Sequence, residues 1–99
     1  MKTVENIVMS CVKSVGMDQK NRELISPKLT TKLFGSNLDS MGIVFLVTEI
    51  EESISEALDL NIVLADERAM SQKTSPFRKV ETLINYTEKL ISDQKKIAI

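Results

Sequence analysis

Histidine and tryptophan are absent from this 99-residue chain, and it holds one cysteine, two prolines, three glycines and four aromatic residues. Without histidine the commonest general base at neutral pH is missing, and a serine–histidine nucleophile pair is excluded. One cysteine rules out an internal disulfide framework and, with no histidine, argues against a zinc site. Cys11 falls on an apolar stripe and reads as a small buried hydrophobe rather than a reactive thiol. No apolar run approaches the length of a membrane-spanning helix, and the opening Met1-Lys2-Thr3-Val4-Glu5-Asn6 leads into a mixed amphipathic stretch unlike a signal peptide. The cytoplasm is the expected location. Scattered lysines, few aromatics and a negative most-coherent patch argue against nucleic-acid binding. The composition leans away from an enzyme.

The net charge of −1 conceals an asymmetry. Asp39, Glu49, Glu51, Glu52, Glu56 and Asp59 lie in a stretch without a single Lys or Arg, while the remainder holds the other eight acids and all thirteen bases, a balance of +5. A field of one sign suits a basic partner surface; the plainer reading is a solvated helix face.

The apolar fraction of 42% is that of an ordinary globular domain. Val4, Ile7, Val8, Cys11, Val12 and Val15 share one face of a helix expected from about Thr3 to Val15, capped by Thr3 and ended by Gly16. Residues 17–37 read as a long connection with turn formers at Asp18, Asn21, Ser26-Pro27, Gly35-Ser36 and Asn37. Leu24, Ile25, Leu29, Leu33 and Phe34 anchor it, with room for a helical turn around Pro27 to Leu33. A second helix is expected from Ser40 to Leu58, with Asp39 as N-cap and a core stripe of Ile43, Leu46, Val47, Ile50, Ile54 and Leu58. Met41, Phe45, Thr48 and Glu52 point away from that stripe, with Val44 at its edge. A short turn, Glu67 to Met70, follows Asp66. Ser75-Pro76 signals a last helix whose inner face is Phe77, Val80, Leu83, Ile84, Thr87, Leu90 and Ile91. Tyr86 reads as a structural edge residue, and residues 93–99 as a frayed tail. The expected fold is all-α: a single domain over 1–99, with its core over about 3–91. It is a small antiparallel bundle of three long helices plus one short helix, with a long loop between the first two.

Leu38-Asp39-Ser40-Met41-Gly42 is the most informative stretch, with a serine opening a long helix after an acid and a loop. Asp-Ser followed by a hydrophobic residue is common by chance. Its weight here comes from its position, together with the Ile62-Val63-Leu64-Ala65-Asp66-Glu67 segment and the closing Ile84-Asn85-Tyr86 run. On these residues the chain resembles the acyl and peptidyl carrier protein family over about residues 3 to 91. The resemblance implies a monomeric non-enzyme whose Ser40 carries 4′-phosphopantetheine, installed from coenzyme A by a phosphopantetheinyl transferase. A loading ligase or transferase and downstream synthase enzymes would be its other partners. Asp39 would present the serine, and Met41, Val44, Phe45, Thr48, Glu51 and Glu52 would form the docking face. The common fatty-acid carriers have Leu and then an acid after the serine, and another acid where Phe45 stands. Met41, Gly42 and Phe45 therefore suggest a dedicated carrier for a specialised lipid, polyketide or aminoacyl-loading pathway. The competing reading is an unmodified acidic helical interaction module.

Overall fold

The computed structural model describes residues 2–35, 37–64 and 77–97, and for Lys2, Ser40 and 94–97 the backbone alone. Among the described residues there are four helices and no strand: α1 (Lys2–Asp18), α2 (Arg22–Ile25), α3 (Ser40–Leu58) and α4 (Val80–Ile97). The chain is a small all-α fold. The expected turn at Glu67–Met70, its Asp66 cap and the Ser75-Pro76 cap lie outside the described residues.

Helix α1 packs against each of α2, α3 and α4. Its stripe is buried as the spacing predicts: Val4, Val8 and Val12 are sealed from solvent, and Cys11 and Val15 nearly so, with Ile7 half-buried against them. Thr3 lies inside α1 rather than capping it, and Gly16 does not end it. The helix runs on to a Schellman closure, in which the Asn21 N–H reaches the Gly16 carbonyl at 2.8 Å and the Lys20 N–H reaches Met17 at 3.3 Å. Lys20 takes the left-handed conformation there, at φ 54°. Gly16 serves packing instead. A Cβ at this position would stand 2.5 Å from the Leu24 Cβ and 2.8 Å from the Ile25 nitrogen, so only glycine lets α2 lie this close to α1.

The helical turn in the connection is α2, not the expected Pro27–Leu33. Asn21 caps it, its side-chain oxygen accepting from the N–H groups of Glu23 and Leu24. After a turn closed by Thr31 N–H on the Lys28 carbonyl at 3.0 Å, residues 31–34 instead run alongside the segment entering α4, with an antiparallel bridge between Lys32 and Lys79. Leu33 N–H donates to the Arg78 carbonyl at 2.7 Å and Phe34 N–H to Phe77 at 2.9 Å. In return, Val80 N–H donates to Thr31 at 3.0 Å and Glu81 N–H to Leu29 at 2.9 Å. The last two are first-turn donors with no partner inside the helix. The connection therefore caps α4 with its own carbonyls, which is why α4 begins at Val80, beyond the Ser75-Pro76 signal. At its far end α4 continues to Ile97 where a frayed tail was expected; Gln94, Lys95 and Lys96 are good helix formers, and lysines suit a helix C-terminus.

Leu24, Leu33, Ile43, Leu46, Ile50, Ile54, Leu64, Phe77, Leu83 and Ile91 complete one core. Tyr86 meets Phe77 edge-on, with ring centroids 6.1 Å apart. The buried Thr87 hydroxyl donates to the Leu83 carbonyl at 2.8 Å. Among the described residues no helix is long and apolar enough to cross a membrane.

Gly16 yields a prediction of definite sign. At an exposed helical position Gly→Ala stabilises by about 0.5–1 kcal/mol. Gly16→Ala should destabilise by about 1–3 kcal/mol, as overpacking does, seen as a lower midpoint in urea; a raised midpoint would refute the α1–α2 close approach.

Candidate functional site

The approach to Ser40 is a closed turn. Gly35 sits at φ 89°, where a side chain would be strained. The Leu33 carbonyl accepts from both Asn37 and Leu38 N–H at 3.0 Å, and Gly35 N–H donates back to the Leu38 carbonyl at 2.9 Å. The Asn37 amide locks the turn to its surroundings. It donates to the Lys32 carbonyl at 2.7 Å and to Glu23 Oε2 at 2.9 Å, and accepts from Asn21 Nδ2 at 3.3 Å. With Leu33 and Leu38 buried on either side, the turn delivers Asp39, exposed, to the start of α3.

Asp39 is the N-cap of α3. Its backbone is extended (φ −85°, ψ −175°) and its Oδ1 accepts the Gly42 N–H at 2.8 Å. Ser40 is the first helical residue; its side chain lies outside the described part of the structure. Gly42 is buried, and a Cβ there would come within 2.9 Å of Leu38 Cδ2 and 3.1 Å of Gln19 Nε2, the far ends of two side chains. The side-chain amide of Gln19, just past α1, thus rests on the first turn of α3. At its other end α3 stops at Leu58, as expected, with Asp59 left-handed (φ 53°) and its N–H on the Ser55 carbonyl.

The outward face of α3 carries Met41, Val44 and Phe45 at 68%, 45% and 59% exposure, large values for apolar side chains. Phe45 is thus not packed beneath the connection. Thr48 and Glu52 are exposed beside them. Glu51 differs from the other expected docking residues. It is half-buried, and its Oε2 accepts the Leu64 N–H at 2.6 Å, holding segment 62–64 against α3. Ile62 and Leu64 are buried by that contact, while Val63 points out at 69% exposure.

Cys11 is buried as expected, with its Sγ 3.7 Å from Ser53 Oγ. Burial pushes its thiol above the usual value of 9.0; the Ser53 hydrogen bond partly offsets this, and the Glu49 charge adds to it. The reactive thiolate is thereby suppressed near neutral pH. Among the described residues no cluster of three His, Cys, Asp or Glu side chains could hold a metal ion.

Sequence reasoning found Asp39 and the exposed apolar face. It read Asn21 and Asn37 only as turn formers, and it missed Gln19 and the close contacts at Gly42. No family model, curated protein or solved structure matches the chain.

Two outcomes test this geometry. Asp39→Ala should lower stability by about 1 kcal/mol, as lost N-caps do, with Asp39→Asn restoring most of it in chemical denaturation. Cys11 should alkylate far more slowly in the folded protein than in urea at pH 8, the folded-state rate climbing at higher pH than that of the unfolded chain; equal rates would contradict its burial.

Proposed function

We propose that this protein is a carrier, built on an antiparallel bundle of three long helices, that holds acyl intermediates as thioesters on a 4′-phosphopantetheine arm attached to Ser40. The observation that carries this reading is the placement of Ser40 as first residue of a 19-residue helix, between a capping aspartate and an exposed apolar face. The surroundings suit the group. A phosphodiester at this point would meet first-turn N–H groups that have no intrahelical partner, and the positive end of the helix dipole. The Asp39 carboxylate is engaged by the Gly42 N–H. A groove of about 320 Å³, lined by Gln19, Gly35, Asn37, Leu38 and Asp39, adjoins the serine position.

In loading, the Ser40 hydroxyl oxygen bonds to the pantetheine-bearing phosphorus of coenzyme A. The phosphoanhydride breaks, 3′,5′-adenosine diphosphate leaves, and the hydroxyl proton passes to a base of the transferase. The arm supplies a terminal thiol for thioester chemistry. This chain's own residues fix the serine's position and offer partners a surface. Met41, Val44, Phe45 and Thr48 would fill an apolar socket, with Glu52 and its acidic neighbours meeting a basic rim. Glu51 is better assigned to holding segment 62–64. The partners are a phosphopantetheinyl transferase, a loading ligase or transferase, and downstream synthase enzymes of a specialised lipid, polyketide or related pathway.

Intact-protein mass spectrometry after incubation with coenzyme A and a broad-specificity transferase tests the reading. Wild type should gain one phosphopantetheine and Ser40→Ala none. If wild type gains nothing, the acidic interaction module becomes the working hypothesis.

A further inference from the structure

The turn before Ser40 is tied to a distant part of the molecule through one side chain. Both amide protons of Asn37 are committed, one to the Lys32 carbonyl at 2.7 Å and one to Glu23 Oε2 at 2.9 Å. Its oxygen accepts from Asn21 Nδ2 at 3.3 Å. The amide fits in one sense only, because reversed its oxygen would face a carbonyl and a carboxylate. Asn21 carries the connection further. Its side-chain oxygen caps α2, and its own N–H closes the end of α1 on the Gly16 carbonyl. Leu24, in the turn so capped, is fully buried. Through two asparagines, the segment that feeds α3 takes its bearings from the corner between α1 and α2.

The fold has little need of this relay. Buried Leu33 and Leu38 hold the turn down, and backbone hydrogen bonds close it. Asn21 and Asn37 are half-buried and Glu23 is exposed, so their hydrogen bonds compete with water and add little to global stability. What the relay limits is direction. Asn37 stands two residues before the capping Asp39 and three before Ser40, so few soft torsions separate the anchor from the serine. Transfer to a hydroxyl needs an aligned oxygen, and a misplacement of about 1 Å costs about a hundredfold in rate.

Resting on the carrier reading above, we infer that Asn37 is a positioning residue for the loading of Ser40, acting through Glu23 and Asn21, and that α2 thereby belongs to the geometry the transferase reads. The consequence is kinetic. A loosened turn presents the serine correctly for only part of the time. If that part is about a tenth, the apparent affinity of the transferase falls about tenfold, while the bound complex reacts as before. KM for the protein substrate rises and kcat holds.

The test measures KM and kcat for transfer of phosphopantetheine from coenzyme A to the full-length protein by a broad-specificity transferase, with the urea midpoint of each variant alongside. Asn37→Asp removes both donors and sets a carboxylate against Glu23. It should raise KM about tenfold at nearly constant kcat, in a chain that stays folded under assay conditions. Glu23→Ala leaves the turn's own residues intact and should raise KM by a smaller factor. Glu23→Gln keeps an acceptor and should cost less than Glu23→Ala. The decisive comparison is Glu23→Gln added to Asn37→Asp. The new amide donates to the new carboxylate, so KM should fall back toward wild type, whereas a merely destabilising substitution would add to the loss. Wild-type KM in Asn37→Asp and Glu23→Ala would overturn the inference, as would a double variant no better than Asn37→Asp. If Asn37→Asp does not fold, the order of Glu23→Ala and Glu23→Gln decides, and equal KM values for these two would overturn it. Failure of wild type to accept phosphopantetheine would defeat the carrier reading itself, and the inference with it.

Discussion

The backbone pairing between residues 29–34 and 77–81 is the constraint on which the rest of the molecule leans. A connection of some twenty residues inside a small domain carries a large entropic cost and many polar groups needing partners. Here those groups find partners in the chain entering α4, while Leu24, Leu33 and Leu38 fill the core beneath. Each half solves a problem of the other, since the connection gains a fixed path and α4 gains acceptors for its first donors. The position of Ser40 is a downstream result, because Leu33 supplies the carbonyl that closes the turn leading to Asp39.

Glycine allows the other essential contacts. Gly16 brings α2 onto α1, and Gly42 brings Leu38 and Gln19 onto α3. Both lie inside helices, where glycine is intrinsically unfavourable by about 1 kcal/mol against alanine. Close packing is what offsets that cost. Charge is divided too: the stretch from Asp39 to Asp59 carries six acids and no lysine or arginine, and the basic residues lie elsewhere in the chain.

Much of this was legible in the residue pattern. The period of 3.6 located α1 and α3 and nearly all of their buried positions, and Asp39 announced its cap, because these are local effects of a side chain on its own helix. The boundaries that went astray depend on contacts distant in sequence. Gly16 looks like a helix stop unless Leu24 is known to press on it. Ser75-Pro76 looks like the start of α4 unless Thr31 and Leu29 are known to cap Val80 and Glu81. Glu51 has the spacing of a surface acid, and only the fold brings Leu64 N–H to it. Around the candidate site, the Asp39 cap and the exposed apolar face could be read from sequence. The groove beside Asp39 could not, because it is made where Gln19 meets the turn at 35–39.

The pairing that caps α4 also bears on the order of events during synthesis. Residues 77–81 leave the ribosome long after α3 has been made, so a nascent chain ending before them has no partner for Leu33 and Phe34. Its Asp39-Ser40 segment is present in sequence but lacks the pinned turn that sets it. The geometry of that turn is therefore set only when the C-terminal helix emerges, and a chain broken off early lacks the frame that fixes it.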